Sequence, residues 1–216
     1  MSENRNHYYS PEYMRPERLQ AYIDQVRTIR SFTDPDDKIL EIGIGNGYLS
    51  NVLKNYYCYS VTTLDVNQDL QPDLCADITA SDFRLAEKYD IGLCFEVLEH
   101  LNWQDLSLAI SNLTRHIRKF LLVSVPDTNF FVQSKLNVLW LKLTPLNLTL
   151  TIPRFLNNKQ TIGKGHQWEI GIYQGDDRVT HRKLISDIFG STNVVSDYRG
   201  REFPGHHFFI IKGQAK

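Results

Sequence analysis

Apolar and polar positions recur along this chain in two periods, and the switches between them mark its elements. Ile39, Leu40 and Ile42 form a short apolar run, the pattern of a strand buried on both faces. A glycine loop, Gly43-Ile44-Gly45-Asn46-Gly47, follows it, and Leu49, Val52 and Leu53 then recur at helical spacing. Upstream, Pro16 opens a helix with the stripe Leu19, Tyr22, Ile23, Val26 and Ile29, and Asp34-Pro35-Asp36-Asp37 turns the chain into the strand. Downstream, Tyr59 to Leu64, Leu74 to Ile78, Tyr89 to Phe95 and Phe120 to Val125 read as strands, with an amphipathic helix from Trp103 to Ile117 before the last of them. Strand, glycine turn and helix in that order predict the first unit of a doubly wound α/β sheet, with ligands off the carboxyl ends of the strands.

Residues 127–181 depart from that rhythm, because a strand-to-strand crossover needs far fewer residues. Val132 to Ile152 is rich in Leu, Val and Trp and interrupted by Pro145, which predicts a pair of helices completing the core. The same stretch also suits a cap over an acceptor site, or a partner or membrane-surface patch. Gly163 to Ile172 reads as a turn leading into a strand or the start of a helix. Arg182 to Phe189 reads as a helix closed by Gly190, and Asn193 to Asp197 with His206 to Ile211 as a final hairpin.

Composition narrows the class. The 216 residues suffice for one α/β domain (1–216), with a polar arm and helix at 1–37 and the inserted cap at about 127–181. A net charge of -1 gives no electrostatic footprint for nucleic acid. Cys58, Cys75 and Cys94 lie in or beside the expected strands without a C-x-x-C, and read as reduced core thiols. No apolar run reaches the length of a membrane span, and the polar Met1 to Tyr9 is no signal peptide, so a cytoplasmic location is expected. The sequons at Asn112 and Asn147 are then accidental.

The glycine spacing separates two ligand classes. A dinucleotide fingerprint needs G-x-G-x-x-G, and Tyr48 stands where its third glycine belongs. The loop is G-x-G-x-G instead, preceded by Glu41, and Asp65 ends the second strand 22 residues after Gly43. A carboxylate at that offset suits a ribose hydroxyl pair. On these residues, and on Glu96-Val97-Leu98-Glu99-His100 after the fourth strand, the chain resembles the class I S-adenosylmethionine-dependent methyltransferases of the E-V-L-E-H type. The resemblance implies a Rossmann-like, seven-stranded sheet, mostly parallel with an antiparallel last strand and helices on both faces. It also implies S-adenosylmethionine as cofactor, with Gly43, Gly45 and Gly47 cradling its methionine part. Asp65 would take the ribose hydroxyls, Asp77 the adenine amino group, and Glu41 and Glu96 would complete the pocket.

Methyl transfer to oxygen also needs a base, and His100 and His166 are the candidates. The pattern E-x-x-E-H followed by His166-Gln167-Trp168-Glu169 is similar to metal-using branches of the superfamily. These are the small-RNA 3′-end 2′-O-methyltransferases and, for E-x-x-E-H alone, the ubiquinone-pathway O-methyltransferases. It would make Glu96, Glu99, His100 and His166 the ligands of a divalent cation. In metal-free members the same carboxylates cap a helix or line the cofactor pocket. The expected activity is methyl transfer to a small-molecule acceptor, at oxygen. The alternatives are a metal-assisted RNA 2′-O-methyltransferase, opposed by the missing basic surface, and a non-catalytic protein that keeps the fold as a binding scaffold.

Overall fold

The computed structural model describes residues 8–136, 146–152, 162–163, 165–174, 177–190 and 193–214. Helix α1 (Pro16–Phe32) leads into β1 (Lys38–Ile42), α2 (Tyr48–Tyr56), β2 (Ser60–Asp65), the short β3 (Leu74–Cys75) and β4 (Tyr89–Phe95). Helix α3 (Leu106–Thr114) and β5 (Ile117–Pro126) follow. An inserted hairpin is formed by β6 (Phe130–Leu136) and β7 (Leu146–Ile152), and β8 (Tyr173–Gln174) with β9 (Asp177–Arg178) makes a smaller one. The chain ends with α4 (His181–Leu184), running on through a π-helical turn to Phe189, and then β10 (Val194–Arg199) and β11 (His206–Lys212).

Seven strands make one sheet in the order β10-β11-β5-β4-β1-β2-β3. Neighbours from β5 to β3 are parallel, and β11 runs antiparallel to both β5 and β10. Successive side chains of a strand point to opposite faces, so each central strand feeds two cores. Leu40, Ile42, Cys94, Val123 and Phe209 pack on one side with Leu106, Ala109, Ile110 and Leu113 of α3. Ile39, Ile91, Leu93, Leu122 and Phe208 pack on the other with Tyr22 and Ile29 of α1 and Leu49 and Leu53 of α2. Each fully buried Leu, Ile or Phe contributes about 1.5–3 kcal/mol, which makes this sheet a rigid base for the loops at its end.

Four expectations need correction. The stripe of α1 is rotated: Leu19 and Ile23 are exposed, while Asp24, Gln25 and Thr28 are buried. Partners explain it, since Asp24 accepts backbone N–H groups of Glu202 and Phe203, and Thr28 takes the Tyr198 hydroxyl. The described parts of Val132 to Ile152, up to Leu136 and from Leu146, form strands rather than a helix pair. Leu146 to Ile152 alternates apolar residues with Asn147, Thr149 and Thr151, a period of two that fits a strand; Pro145 lies outside the described residues. Residues 165–172 form an irregular segment tied to the sheet by the Asp127–Ile170 bridge. Of the three cysteines only Cys94 is a core thiol, and Cys58 and Cys75 are exposed. The Asn112 sequon is buried, its amide donating to the Ile78 and Ala80 carbonyls. Among the described residues no helix is long and apolar enough to cross a membrane.

Candidate functional site

The β1–α2 turn needs its glycines for two different reasons. Gly43 (φ +80°) donates its N–H to the Leu64 carbonyl at 2.8 Å, and a Cβ there would lie 2.3 Å from Val97 Cγ2. Gly45 and Gly47 have φ of +53° and +71°, the left-handed region that favours glycine. Asp65 is drawn into the same turn: its Oδ2 accepts from Ile44 N at 3.0 Å and its Oδ1 from Asn67 N at 2.8 Å. Asp77 caps its own turn, accepting from Thr79 N and Oγ1 at 2.8 and 2.6 Å. Beneath the loop Glu41 is buried, with Oε2 unpartnered. Burial pushes its carboxyl up to about 8, a rise the Ser50 hydroxyl only partly offsets.

One cavity of about 490 Å³ runs across the carboxyl ends of β1, β2 and β4, within the ~300–1,000 Å³ of small-molecule sites. Gly43, Gly45, Asp65 and Asp77 line one part of it, and Glu96, Glu99, His100 and His166 another. Tyr8 and Tyr13 of the N-terminal arm also line it, with the Tyr13 hydroxyl 3.4 Å from where a Gly45 Cβ would sit. Of the inserted segment, Gly163 and His166 line the cavity, and no described residue of the β6–β7 hairpin does.

Glu96 and Glu99, three residues apart, have opposite surroundings. Glu96 (φ +57°) is held by α1: Arg18 Nη1 donates to Oε2 at 2.5 Å and Gln25 Nε2 to Oε1 at 3.0 Å. Burial alone would raise its pKa, but the His206 imidazole, 3.6 Å away, and the Arg18 guanidinium hold it below the usual value. Burial pushes the His206 imidazole down. Glu99 is fully buried with neither oxygen partnered, and burial together with the Glu96 charge drives its pKa well above the usual range.

His100 and His166 meet edge to face, with ring centroids 4.8 Å apart. The Nδ1 of His100 lies 3.2 Å from the Gly165 carbonyl, and the Nδ1 of His166 lies 2.5 Å from Glu169 Oε1. Glu99, His100 and His166 each offer a ligand atom, all within 4.8 Å of one another. Glu96 is committed to α1 instead. His207 lies away from this group, between Asp197 at 2.8 Å and Asp127 at 3.7 Å.

The residues present fit S-adenosylmethionine. Backbone stripped of side chains lies beside the cavity, carboxylates stand at two strand ends, and buried carboxylate oxygens at Glu41 and Glu99 have no partner. Sequence reasoning missed Arg18, Gln25, Tyr8 and Tyr13 as lining residues. Arg18 stands 78 residues before Glu96, and no local pattern joins them.

A methyltransferase-domain family model matches residues 12–161, so the chain belongs to that family. Its fold and glycine loop are those of a class I S-adenosylmethionine-dependent methyltransferase. Similar solved structures include the glycopeptide N-methyltransferase MtfA complexed with S-adenosylmethionine, with a TM-score of 0.57 and 11% identity over 90% of this chain and 94% of that one. DesVI of Streptomyces venezuelae has a TM-score of 0.58 and 14% identity over 99% and 100% of the two chains. The N-methyltransferase NodS from Bradyrhizobium japonicum WM9, complexed with S-adenosyl-L-homocysteine, has 0.56 and 14% over 96% and 95%. No curated protein sequence matches the chain.

Proposed function

We propose that this protein transfers the methyl group of S-adenosylmethionine to a hydroxyl oxygen of a small-molecule acceptor, with His166 receiving the acceptor proton. The observation that carries the reading is the single cavity joining the glycine loop to the imidazole that Glu169 holds. When bound, S-adenosylmethionine supplies a methyl carbon activated by its sulfonium. Gly43, Gly45 and Gly47 leave backbone groups open to the methionine part, while Asp65 accepts from the ribose hydroxyls and Asp77 from the adenine amino group. Glu41 supports the loop from below. Arg18 and Gln25 fix Glu96, which keeps α1 and the end of β4 in one arrangement around the cavity.

In-line transfer is mostly positioning, with the acceptor atom ~3–3.5 Å from the methyl carbon. A neutral amine attacks with a lone pair it already has, whereas an alcohol must lose its proton. A half-buried imidazole held by a buried carboxylate therefore suits oxygen. The neighbours described as N-methyltransferases share the fold at 11% and 14% identity, so the acceptor atom is argued from this chain's own residues.

A second reading is a divalent cation held by Glu99, His100 and His166. Both imidazoles have Nδ1 against an oxygen, the outer contact that metal-ligating histidines make, and Glu99 brings two buried oxygens without partners. Carboxylate with imidazole suits manganese, iron or zinc better than magnesium. Such an ion supplies a Lewis acid beside the acceptor hydroxyl, and its acceptors include a ribose 2′-hydroxyl of RNA.

The test incubates the protein and methyl-labelled S-adenosylmethionine with cell extract, with and without EDTA, and partitions the label. Transfer into the organic or aqueous phase that survives EDTA supports the first reading. Transfer into either phase that EDTA abolishes and manganese restores moves the proposal to the second. EDTA-sensitive, ribonuclease-sensitive label in the precipitate assigns the RNA acceptor. Absence of transfer in every fraction contradicts both and leaves a binding scaffold.

A further inference from the structure

Two arginines at the start of α1, Arg15 and Arg18, line the same cavity and differ in what they touch. Arg18 is spent within the protein: its guanidinium donates to Glu96 Oε2 and lies 4.5 Å from the Tyr13 ring centre. Arg15 is exposed, and its guanidinium has no hydrogen-bond or ion-pair partner among the described residues. Its backbone is nevertheless fixed. Pro16 restricts the residue before it to extended backbone, and Arg15 has φ −64° and ψ 159°. Helix α1 is held in turn by Arg18 and Gln25, which both donate to Glu96. Tyr13 brings this stretch to the glycine loop, its hydroxyl 3.4 Å from where a Gly45 Cβ would sit.

The surroundings say what such a group can bind. Glu41, Asp65, Asp77, Glu96 and Glu99 all line the cavity, so an anion that enters it needs a cation to meet. Arg18 is answered by Glu96 and His166 by Glu169, and the Nδ1 of His100 faces the Gly165 carbonyl. Among the described residues that line the cavity, Arg15 is the permanent cation left over. A guanidinium is a planar fork that matches a carboxylate or a phosphate and stays charged at any working pH. We propose that Arg15 binds an anionic group, a carboxylate or a phosphate, of a molecule seated in the cavity, and so sets which ligands the site accepts. Two molecules can bring that group. One is S-adenosylmethionine, through its methionine carboxylate. The other is the acceptor, whose class is then an organic acid or a phosphate ester. The inference rests on the reaction proposed above and adds to it a residue for the ligand's negative charge.

The experiment compares the wild type with Arg15→Gln and Arg15→Lys, which should melt at the wild-type temperature because the side chain has no partner to lose. Calorimetry with S-adenosylhomocysteine and with 5′-methylthioadenosine, which lacks the amino-acid part, reads the first source. Anion-exchange chromatography of the product labelled in cell extract by methyl-labelled S-adenosylmethionine reads the second. If the methionine carboxylate is the ligand, Arg15→Gln weakens S-adenosylhomocysteine about tenfold and leaves 5′-methylthioadenosine unchanged, while Arg15→Lys recovers part of the loss. If the acceptor brings the anion, both calorimetric affinities stay at wild type. The labelled product is then retained on the exchanger, and Arg15→Gln forms it about tenfold more slowly. Unchanged affinity together with unchanged transfer overturns the proposal. So does an equal loss for both calorimetric ligands, which marks a displaced loop, or slower formation of a product that the exchanger does not retain. A wild type that binds S-adenosylhomocysteine and transfers nothing contradicts the proposed reaction, and calorimetry alone then decides on Arg15. A wild type that binds neither ligand and transfers nothing overturns both.

Discussion

The Oε1 of Glu169 lies 2.5 Å from Nδ1 of His166 and also accepts the Gly163 N–H at 2.8 Å. A buried carboxylate at Nδ1 keeps the ring proton there and leaves Nε2 as the basic nitrogen of a residue that lines the cavity. Glu169→Gln keeps the shape and removes the charge. Turnover should fall about 10²-fold, within the range of a misplaced general base, while the affinity for S-adenosylmethionine stays within twofold. Single-turnover rates beside calorimetric binding separate the two effects.

Asp65 holds the glycine loop through Ile44, and the proposed function has it take the ribose hydroxyls, so its loss should strike binding first. Hydrogen bonds to a charged group are worth ~1.5–3 kcal/mol each. Asp65→Ala should therefore weaken S-adenosylmethionine and S-adenosylhomocysteine alike by about 10- to 100-fold or more, read by calorimetry. Equal affinity in the variant would remove Asp65 from the cofactor site.

Gly43→Ala meets two obstacles, a φ of +80° and a methyl 2.3 Å from Val97 Cγ2. Strain of this kind costs about 1–3 kcal/mol, visible as a lower denaturation midpoint. Adding Val97→Ala should recover only the steric part. Full recovery would mean that the backbone angle costs nothing.

Glu41 gives a pH signature. Burial holds its carboxyl at about 8 in the fold, against ~4.3 in an unfolded chain. The folded state then binds a proton that the unfolded state has released. The stability from this group is complete below the unfolded value and is lost as pH rises through about 8. The melting temperature of the wild type should therefore fall relative to Glu41→Gln as pH rises from ~4.3 to about 8, and the difference should level off above that. A constant difference between the two proteins across that range would show that Glu41 is ionised throughout.

What the sequence made legible were short-range patterns. The β4 span matches residue for residue, and β1, the glycine loop and Asp65 stand where periodicity and spacing place them. These elements carry their signal within a few residues. The rotated face of α1 does not, because Asp24 and Gln25 are buried against partners at Glu202 and Glu96, far along the chain. The hairpin departs from the expected helix pair for a different reason. Leu-rich composition favours helix, whereas the alternation of Leu and Thr in β7 favours strand, and the period carries more weight than the composition. His100 and His166 could be named from sequence, but their mutual approach and the hold of Glu169 on His166 are products of the long return from β5.

The central claim is that one cavity holds both the cofactor and the proton acceptor, and His166→Ala tests it most directly. Label transfer from methyl-labelled S-adenosylmethionine into cell extract should drop by about 10²- to 10⁴-fold, while calorimetric binding of S-adenosylhomocysteine matches the wild type. Transfer at the wild-type rate by the His166→Ala protein would contradict the account.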